Sequence, residues 1–294
     1  MSERLPMFLV GELLRVCFVG EYAGNLDEGM KNVMHYLTKE LSKYHEIMRL
    51  SIEDTKYRFF KDPSMSFLSP NFLAKIKKFQ PHIIHYIPYS GPTFSCFIRA
   101  KMIAHYASNA KIVISCLQRP RDYSYLSKKM ISMLKQDLIL VQSRKTARIF
   151  NDLGVRTRFL PNGVDIEKFS PVTERTKEKL RKKYELDNRF IILHVGHINN
   201  MRNIRILGDL VEGDNSVITV GSTSMSDLES RLIYDQDLVR YLKKKGVIVW
   251  IKYFEDIQEI YNLSDCYIFP TIREFSSIEI PLSVLEAMAC NLPV

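Results

Sequence analysis

The stretch from Asp265 to Val294, DCYIFPTIREFSSIEIPLSVLEAMACNLPV, brings a carboxylate to a place where it could hold hydroxyl groups. Cys266 to Phe269 is an apolar run short enough to be a buried parallel strand. Pro270 stops it, Thr271 to Ser277 forms a polar loop, and Pro281 with Ser283 marks the start of a helix carrying Leu282, Leu285, Glu286 and Met288. Glu286 therefore falls in the first turn after a strand–loop–helix junction, and open α/β sheets collect their ligands at that end of their strands. Ser283-Val284-Leu285-Glu286 also has the spacing of a capping box, in which the glutamate satisfies an orphan N–H. The two roles are compatible, and spacing leaves both open.

Other side chains with chemical capacity are scattered. Arg202 follows the apolar run Phe190 to Val195 and Gly196; its planar fork suits two phosphate oxygens, although a surface arginine reads the same way. His197, one residue past Gly196, would be partly charged near neutral pH. His82 and His85 lie in PHIIHYIPYSGP and read most simply as structural histidines. Asp235-Gln236-Asp237 has the spacing of a divalent-metal pair but sits in a charged helical segment rather than at a strand end, so it reads as solvated charge and no metal is expected. Leu14 to Gly20 is an apolar run followed by Gly24, Gly29 and a helical pattern, without the GxGxxG dinucleotide fingerprint.

The elements that must position these residues alternate. Apolar runs at Ile47–Ile52, Ile83–Ile87, Ile112–Cys116 and Leu138–Val141, then Phe190–Val195, Val217–Gly221 and Val247–Ile251, are separated by helical segments with no hairpin signals. That pattern predicts parallel sheets with helices on their faces. The 294 residues suffice for two domains, 46% are hydrophobic and 26% charged, and no apolar run approaches the roughly 18 residues needed to span a bilayer. Glu12 and Arg15 interrupt the N-terminal apolar patch before a signal-peptide core could form, so a cytoplasmic chain is expected. Five cysteines, odd in number and without CxxC, predict reduced thiols.

Charge divides the chain. Residues 1–170 hold 26 basic against 15 acidic side chains, a surplus of +11, whereas residues 171–294 hold 16 against 18. Phe72 to Phe79 and Tyr123 to Leu134 are basic amphipathic helices that could lie on an anionic membrane surface, or simply pack on their own sheet. No zinc pattern, RNP motif or helix-turn-helix signature appears, so no nucleic-acid partner is expected.

Two motifs are specific enough to indicate a family. Leu285 to Val294 matches L-E-A-M-A-C-G-x-P-V, and Leu160 to Pro171, LPNGVDIEKFSP, carries every fixed position of P-N-G-V-D-x-x-x-F-x-P. Tyr253 to Asp265 similarly resembles a helix with I-x-E-x-Y-x-x-S-D. In these the chain resembles the retaining GT-B glycosyltransferases of family 4, the glycosyl transferases group 1. The resemblance implies two Rossmann-like doubly wound domains facing a cleft: residues 1–170 on the acceptor side and residues 171–294 binding a nucleotide sugar.

The resemblance also implies a reaction and a site. A sugar would pass from a UDP- or GDP-linked donor to a hydroxyl of a glycan or lipid-linked acceptor, with no cofactor beyond that donor. Arg202 and His197 stand where the family has Lys and Arg on the donor diphosphate, after Gly196; Asn203 replaces a glycine, and Gly221-Ser222-Thr223 replaces G-D-G. Glu286 would take the ribose, and Gly29 would lie close to donor or acceptor. The family's other glutamate falls on Ile278 here, with Glu279 one place late and Glu274 four places early, so Glu279 or the Ile278 backbone would face the donor sugar. His85 aligns with the first histidine of D-x-x-H-x-H and would join Glu279 as a catalytic candidate, while the second falls on Ile87. Those departures keep two rivals open: a catalytically silent GT-B binding protein, and an epimerase or phosphorylase on the same fold. In the family, Asn291 to Val294 would begin another strand, so an incomplete second domain is the further expectation, with peripheral attachment to the inner membrane face.

Overall fold

The structure, a computed structural model, describes residues 12–20, 26, 28–51, 69–88, 91–107, 110–134, 136–221 and 235–294. Gly24, Ser222 and Thr223 lie outside the described residues, as does the N-terminal apolar patch up to Gly11.

The first sheet grows from the alternation read above: β1 (Arg15–Gly20), α1 (Gly29–Leu41), β2 (Glu46–Leu50), α2 (Pro70–Phe79), β3 (Ile83–Ile87), α3 (Phe94–Tyr106), β4 (Lys111–Cys116), α4 (Tyr125–Leu134), β5 (Leu138–Val141), α5 (Arg144–Asn151) and β6 (Thr157–Phe159). Its strand order is β2-β1-β3-β4-β5-β6, and every pairing is parallel. The second domain follows with α6 (Glu174–Lys183), β7 (Phe190–Val195), β8 (Asn215–Gly221), α7 (Gln236–Lys244), β9 (Ile248–Ile251), α8 (Ile257–Leu263), β10 (Cys266–Tyr267) and α9 (Leu282–Ala289). It has the parallel order β10-β7-β8-β9. In each sheet the order reverses beside the first strand of the domain, between β1 and β3 and between β7 and β10. Such a switch point opens a crevice at the strands' carboxyl ends.

The strands are continuous apolar runs because both faces of a parallel sheet are covered. On one face of the first sheet, Phe72, Ile76, Phe97, Ile131 and Phe150 from α2 to α5 bury Ile84, Ile114 and Ile139. On the other, Met34 of α1 packs on Val16, Phe18 and Ile87. Beyond α1, Val113, Leu138 and Leu140 are only half-buried, and a trough of about 570 Å³ runs along the sheet between α1 and Leu160–Val164. Side-chain caps set the helix starts: Ser69, Ser143, Thr173 and Asp235 each accept a backbone N–H from the first turn. Asp235, of the Asp235/Asp237 pair, is thus the cap of α7.

Three local expectations are corrected. β10 ends at Tyr267, two residues early, which releases Phe269 toward the cleft. Asn291–Val294 does not form a strand, although the Tyr267 N–H donates to the Pro293 carbonyl at 2.8 Å and Leu292 is buried in the second domain's core. His85, expected near the chemistry, is a core residue of β3 and does not line the cleft cavity. It is 7% exposed, stacks 4.7 Å from Phe18, and its Nε2 lies 2.7 Å from Ser115 Oγ.

Burial holds the His85 imidazole neutral, pushing its pKa down from 6.5 to about 4. The unfolded chain takes up this proton as pH falls through 6.5, whereas the folded chain resists until about 4. Stability is therefore lost across that window by about 3 kcal/mol, at ~1.4 kcal/mol per unit. Urea denaturation of the wild type and His85→Gln at pH 7 and pH 4.5 checks this. The variant is expected to lose less stability on acidification; equal losses would mean that the folded imidazole titrates normally.

Candidate active site

The two switch points face each other across a cavity of about 400 Å³. The second domain contributes the carboxyl ends of its strands: Val195 ending β7 and Gly196 after it, Val220 and Gly221 ending β8, Lys252 after β9 and Phe269 after β10. The first domain contributes the start of α1 with Glu28, Gly29, Asn32 and Tyr36, and Gln118 from the loop after β4. Seven residues singled out in the sequence meet here: Gly29, Gly196, His197, Arg202, Gly221, Ile278 and Glu286.

Gly196 explains how the β7 loop approaches a ligand. It holds φ +154°, and a Cβ there would sit 3.4 Å from the His194 imidazole and 3.6 Å from Arg202 Nη1. His194 is fully buried, with Nδ1 3.0 Å from Thr219 Oγ1. Burial, reinforced by Arg202 and His197, lowers its pKa to about 3, so it stays neutral beneath the loop and adds no charge to repel Arg202. Arg202 ends a short 3-10 turn, Asn200–Arg202, whose Asn199 side chain accepts the Arg202 N–H at 3.2 Å. Its guanidinium lies 6.0 Å over the Phe269 ring, and half-burial pulls its pKa below the ordinary value. Asn203 takes φ 56°. Asparagine tolerates that left-handed conformation better than most side chains, which accounts for it in the resembling family's glycine position.

Glu286 faces the cavity from the second turn of α9 and accepts a hydrogen bond from the Tyr261 hydroxyl at 2.7 Å on Oε2. Removal from water raises its pKa; the Tyr261 bond and then the Lys168 charge pull it back. The capping-box alternative is not realised. Pro281 is the N-cap, no side chain caps α9, and the Ser283 hydroxyl pairs with Tyr267 at 2.8 Å. The first N–H groups of α9 thus open beside Pro281, Leu282 and Ser283 at the cavity wall, a favourable place for negative charge.

Glu279 is corrected. It does not line the cavity but reaches the start of α5, where its Oε1 accepts from Ser143 Oγ at 2.7 Å and Thr146 Oγ1 at 2.8 Å. The surrounding loop is a clasp between the domains. Glu279 N–H donates to the Leu117 carbonyl, Asn162 Nδ2 to the Ile280 carbonyl and Ile280 N–H to Gln142 Oε1, at 2.8, 2.7 and 3.1 Å. Glu274 pairs with Arg119 and Lys145, and Gln118 Nε2 donates to the Phe275 carbonyl. Ile278, one residue from Glu279, packs instead on Gly29, where a Cβ would come within 3.0 Å of Ile278 Cδ1. Glycine there lets α1 and the loop close on one another.

Sequence reasoning missed Lys168, Tyr253, Tyr36 and Asn32, all of which line the cavity. Lys168 occupies a variable position of the linker motif, between Asp165, whose Oδ1 caps the turn, and Phe169, which packs on Tyr261. The α1 residues sit in an ordinary amphipathic pattern, and nothing in their type distinguishes them.

If Glu286 holds ligand hydroxyls as a carboxylate, Glu286→Gln should weaken nucleotide binding about ten- to a hundredfold, while Glu279→Gln changes it less than about threefold. Tyr261→Phe removes the bond that favours the charged form, so the acid-side loss of affinity should move to higher pH. Calorimetric titration with UDP and GDP between pH 5 and 8 checks both; identical profiles for wild type and Tyr261→Phe would dissociate the hydroxyl from the carboxylate's titration.

Comparison with known proteins follows the same lines. Residues 189–294 match the family described as Glycosyl transferases group 1. The sulfoquinovosyl transferase SQD2 of Arabidopsis thaliana is 24% identical over 252 residues, 80% of this chain and 46% of its own. An Escherichia coli UDP-Gal:alpha-D-GlcNAc-diphosphoundecaprenol alpha-1,3-galactosyltransferase is 28% identical over 142 residues, 46% of this chain and 34% of its own. The chain spans less than half the length of these two relatives. In structure it resembles HepE of Anabaena, crystallised with UDP and glucose: TM-score 0.68 and 16% identity, covering 96% of this chain and 80% of that one. The fold is the α/β GT-B arrangement.

Proposed function

We propose, from a chain whose residues 189–294 match the Glycosyl transferases group 1 family, that this protein transfers a sugar from a nucleoside-diphosphate donor to a hydroxyl, with retention of configuration. The convergence of Gly29, Gly196, His197, Arg202, Gly221, Ile278 and Glu286 on one cavity between two switch points carries this reading. Fold likeness alone would not license a chemistry.

In this reading the diphosphate lies between Gly196 and the start of α9, with Arg202 and His197 beside it. The bond between the anomeric carbon and the β-phosphate oxygen breaks as the acceptor hydroxyl adds to that carbon from the same face and passes its proton to the departing phosphate oxygen. The charge gathering on the departing diphosphate is met by the Arg202 guanidinium and the α9 N–H groups, fixed in place before the reaction. Such stabilisation needs no divalent metal. Glu286 holds the ribose hydroxyls, and the sugar points toward Gly29, Asn32 and the Ile278 backbone. The acceptor, a glycan or lipid-linked sugar, approaches from the first-domain side. The E. coli relative's lipid-linked acceptor and HepE's UDP and glucose support that choice of partners.

A second reading, a nucleotide-sugar-binding protein without turnover, is favoured by the engagement of Glu274 and Glu279 in the clasp. Release of nucleoside diphosphate from UDP-glucose and GDP-mannose in excess EDTA separates the two. Turnover is expected with chelator present, and Arg202→Ala should lower nucleotide affinity about ten- to a hundredfold. Binding without release in either metal condition would favour the silent protein. Activity lost to EDTA and restored by Mn²⁺ would remove the metal-free mechanism.

A further inference from the structure

The four helices α2 to α5, which share one face of the first sheet, carry ten lysines and arginines and no aspartate or glutamate. Of these, Arg99 is buried against Tyr86 and Cys96. Lys75, Lys77, Lys78, Lys128, Lys129, Arg144, Lys145 and Arg148 are exposed.

The two basic amphipathic helices behave differently. α2 turns Phe72, Leu73 and Ile76 into the core and shows water mainly its lysines. α4 buries Ile131 and packs Leu134 half-buried beside the core, but leaves Tyr125, Met133 and Leu126 out, 84%, 74% and 66% exposed. Tyr125, Lys129 and Met133 recur every four residues and form one outward stripe, with Leu126 and Met130 beside it. The adjoining α3 adds exposed Met102 and Tyr106.

We propose that the α3–α4 face docks on an anionic lipid bilayer, with Leu126, Met130, Met133 and Tyr125 entering the interface and Lys128, Lys129 and the α2 lysines meeting the headgroups. A nucleic acid would draw on the charge but not on protruding leucine and methionine; a bilayer uses both. The placement suits a lipid-linked acceptor. Gln118, which lines the cleft cavity, precedes the first residue of α4 by seven positions, so the chain runs from the cleft wall into the docking helix through one short loop. No helix among the described residues is long and apolar enough to cross a membrane. The proposal is independent of the donor reading, because docking requires no turnover.

The test is co-sedimentation of the full chain with phosphatidylcholine vesicles, with and without about a third phosphatidylglycerol, at low and high salt. Binding is expected only to the anionic vesicles and should fall with salt. Lys128→Glu with Lys129→Glu should weaken it at least thirtyfold, the equivalent of about 2 kcal/mol. Leu126→Ser with Met133→Ser should weaken it about tenfold or more. All four side chains are exposed, and unchanged circular dichroism and UDP affinity would show that the variants fold. Equal binding to neutral vesicles, or variants that bind like the wild type, would overturn the proposal. Absent vesicle binding, capture of duplex DNA unaffected by the serine pair would reassign the face to nucleic acid. Absent vesicle binding, a dimer dissolved by the serine pair would reassign it to self-association.

Discussion

A parallel strand can be followed by its neighbour only through a crossover that returns the chain to the strand's starting edge. Both sheets here obey that constraint throughout, and most of the site follows from it. Every loop leaving a strand emerges on the same edge, so residues as distant as Gly29, Gly196, Gly221 and Phe269 are delivered to one region without contacts designed for the purpose. Reversal of strand order beside β1 and beside β7 leaves a gap in that edge in each domain. The cavity is what remains when the two gaps are turned toward one another.

The loop between Thr271 and Ile280 determines how they are turned. Neighbouring residues in it answer to different domains: Ile278 closes on the start of α1 and the cavity, while Glu279 seats on the start of α5. A carboxylate beside the first turn of a helix is stabilised by the open N–H groups and aligned peptide dipoles, and the Ser143 and Thr146 hydroxyls fix its direction. A displacement of one residue along the chain thus converts a candidate sugar-facing group into a structural one. Spacing in a loop cannot register this, because it says how far along a residue lies and nothing of which way it turns.

Much of the fold was legible because uninterrupted Ile/Val runs separated by helical patterns have few solutions other than parallel sheets. The donor-side residues were legible for a related reason. Arg202, Glu286 and the glycines sit at strand ends and helix starts, where position in the element nearly determines position in space. His85 was misleading because a strand carries side chains on both faces, and its own packs against Phe18 within the sheet. Lys168, Tyr36 and Asn32 were invisible, since a cavity between domains recruits whatever the opposing surface offers, and no local pattern encodes the opposing surface. The two basic helices looked alike in sequence; only the sheet beneath them distinguishes buried Phe72 and Ile76 from uncovered Leu126 and Met133.

The clasp also has a mechanical meaning. Its polar contacts lie on the same ten-residue segment as the backbone bordering the cavity, and the linker's Asn162 is one of its members. Separating the domains would therefore break contacts on the same segment that borders the cavity. The Arg119–Glu274 and Lys145–Glu274 pairs are partly open to solvent and individually weak, whereas the Glu279 contacts are half-buried. Ionic strength consequently loosens the outer part of the latch first. The relative setting of the two domains thus rests on contacts of unequal sensitivity to salt.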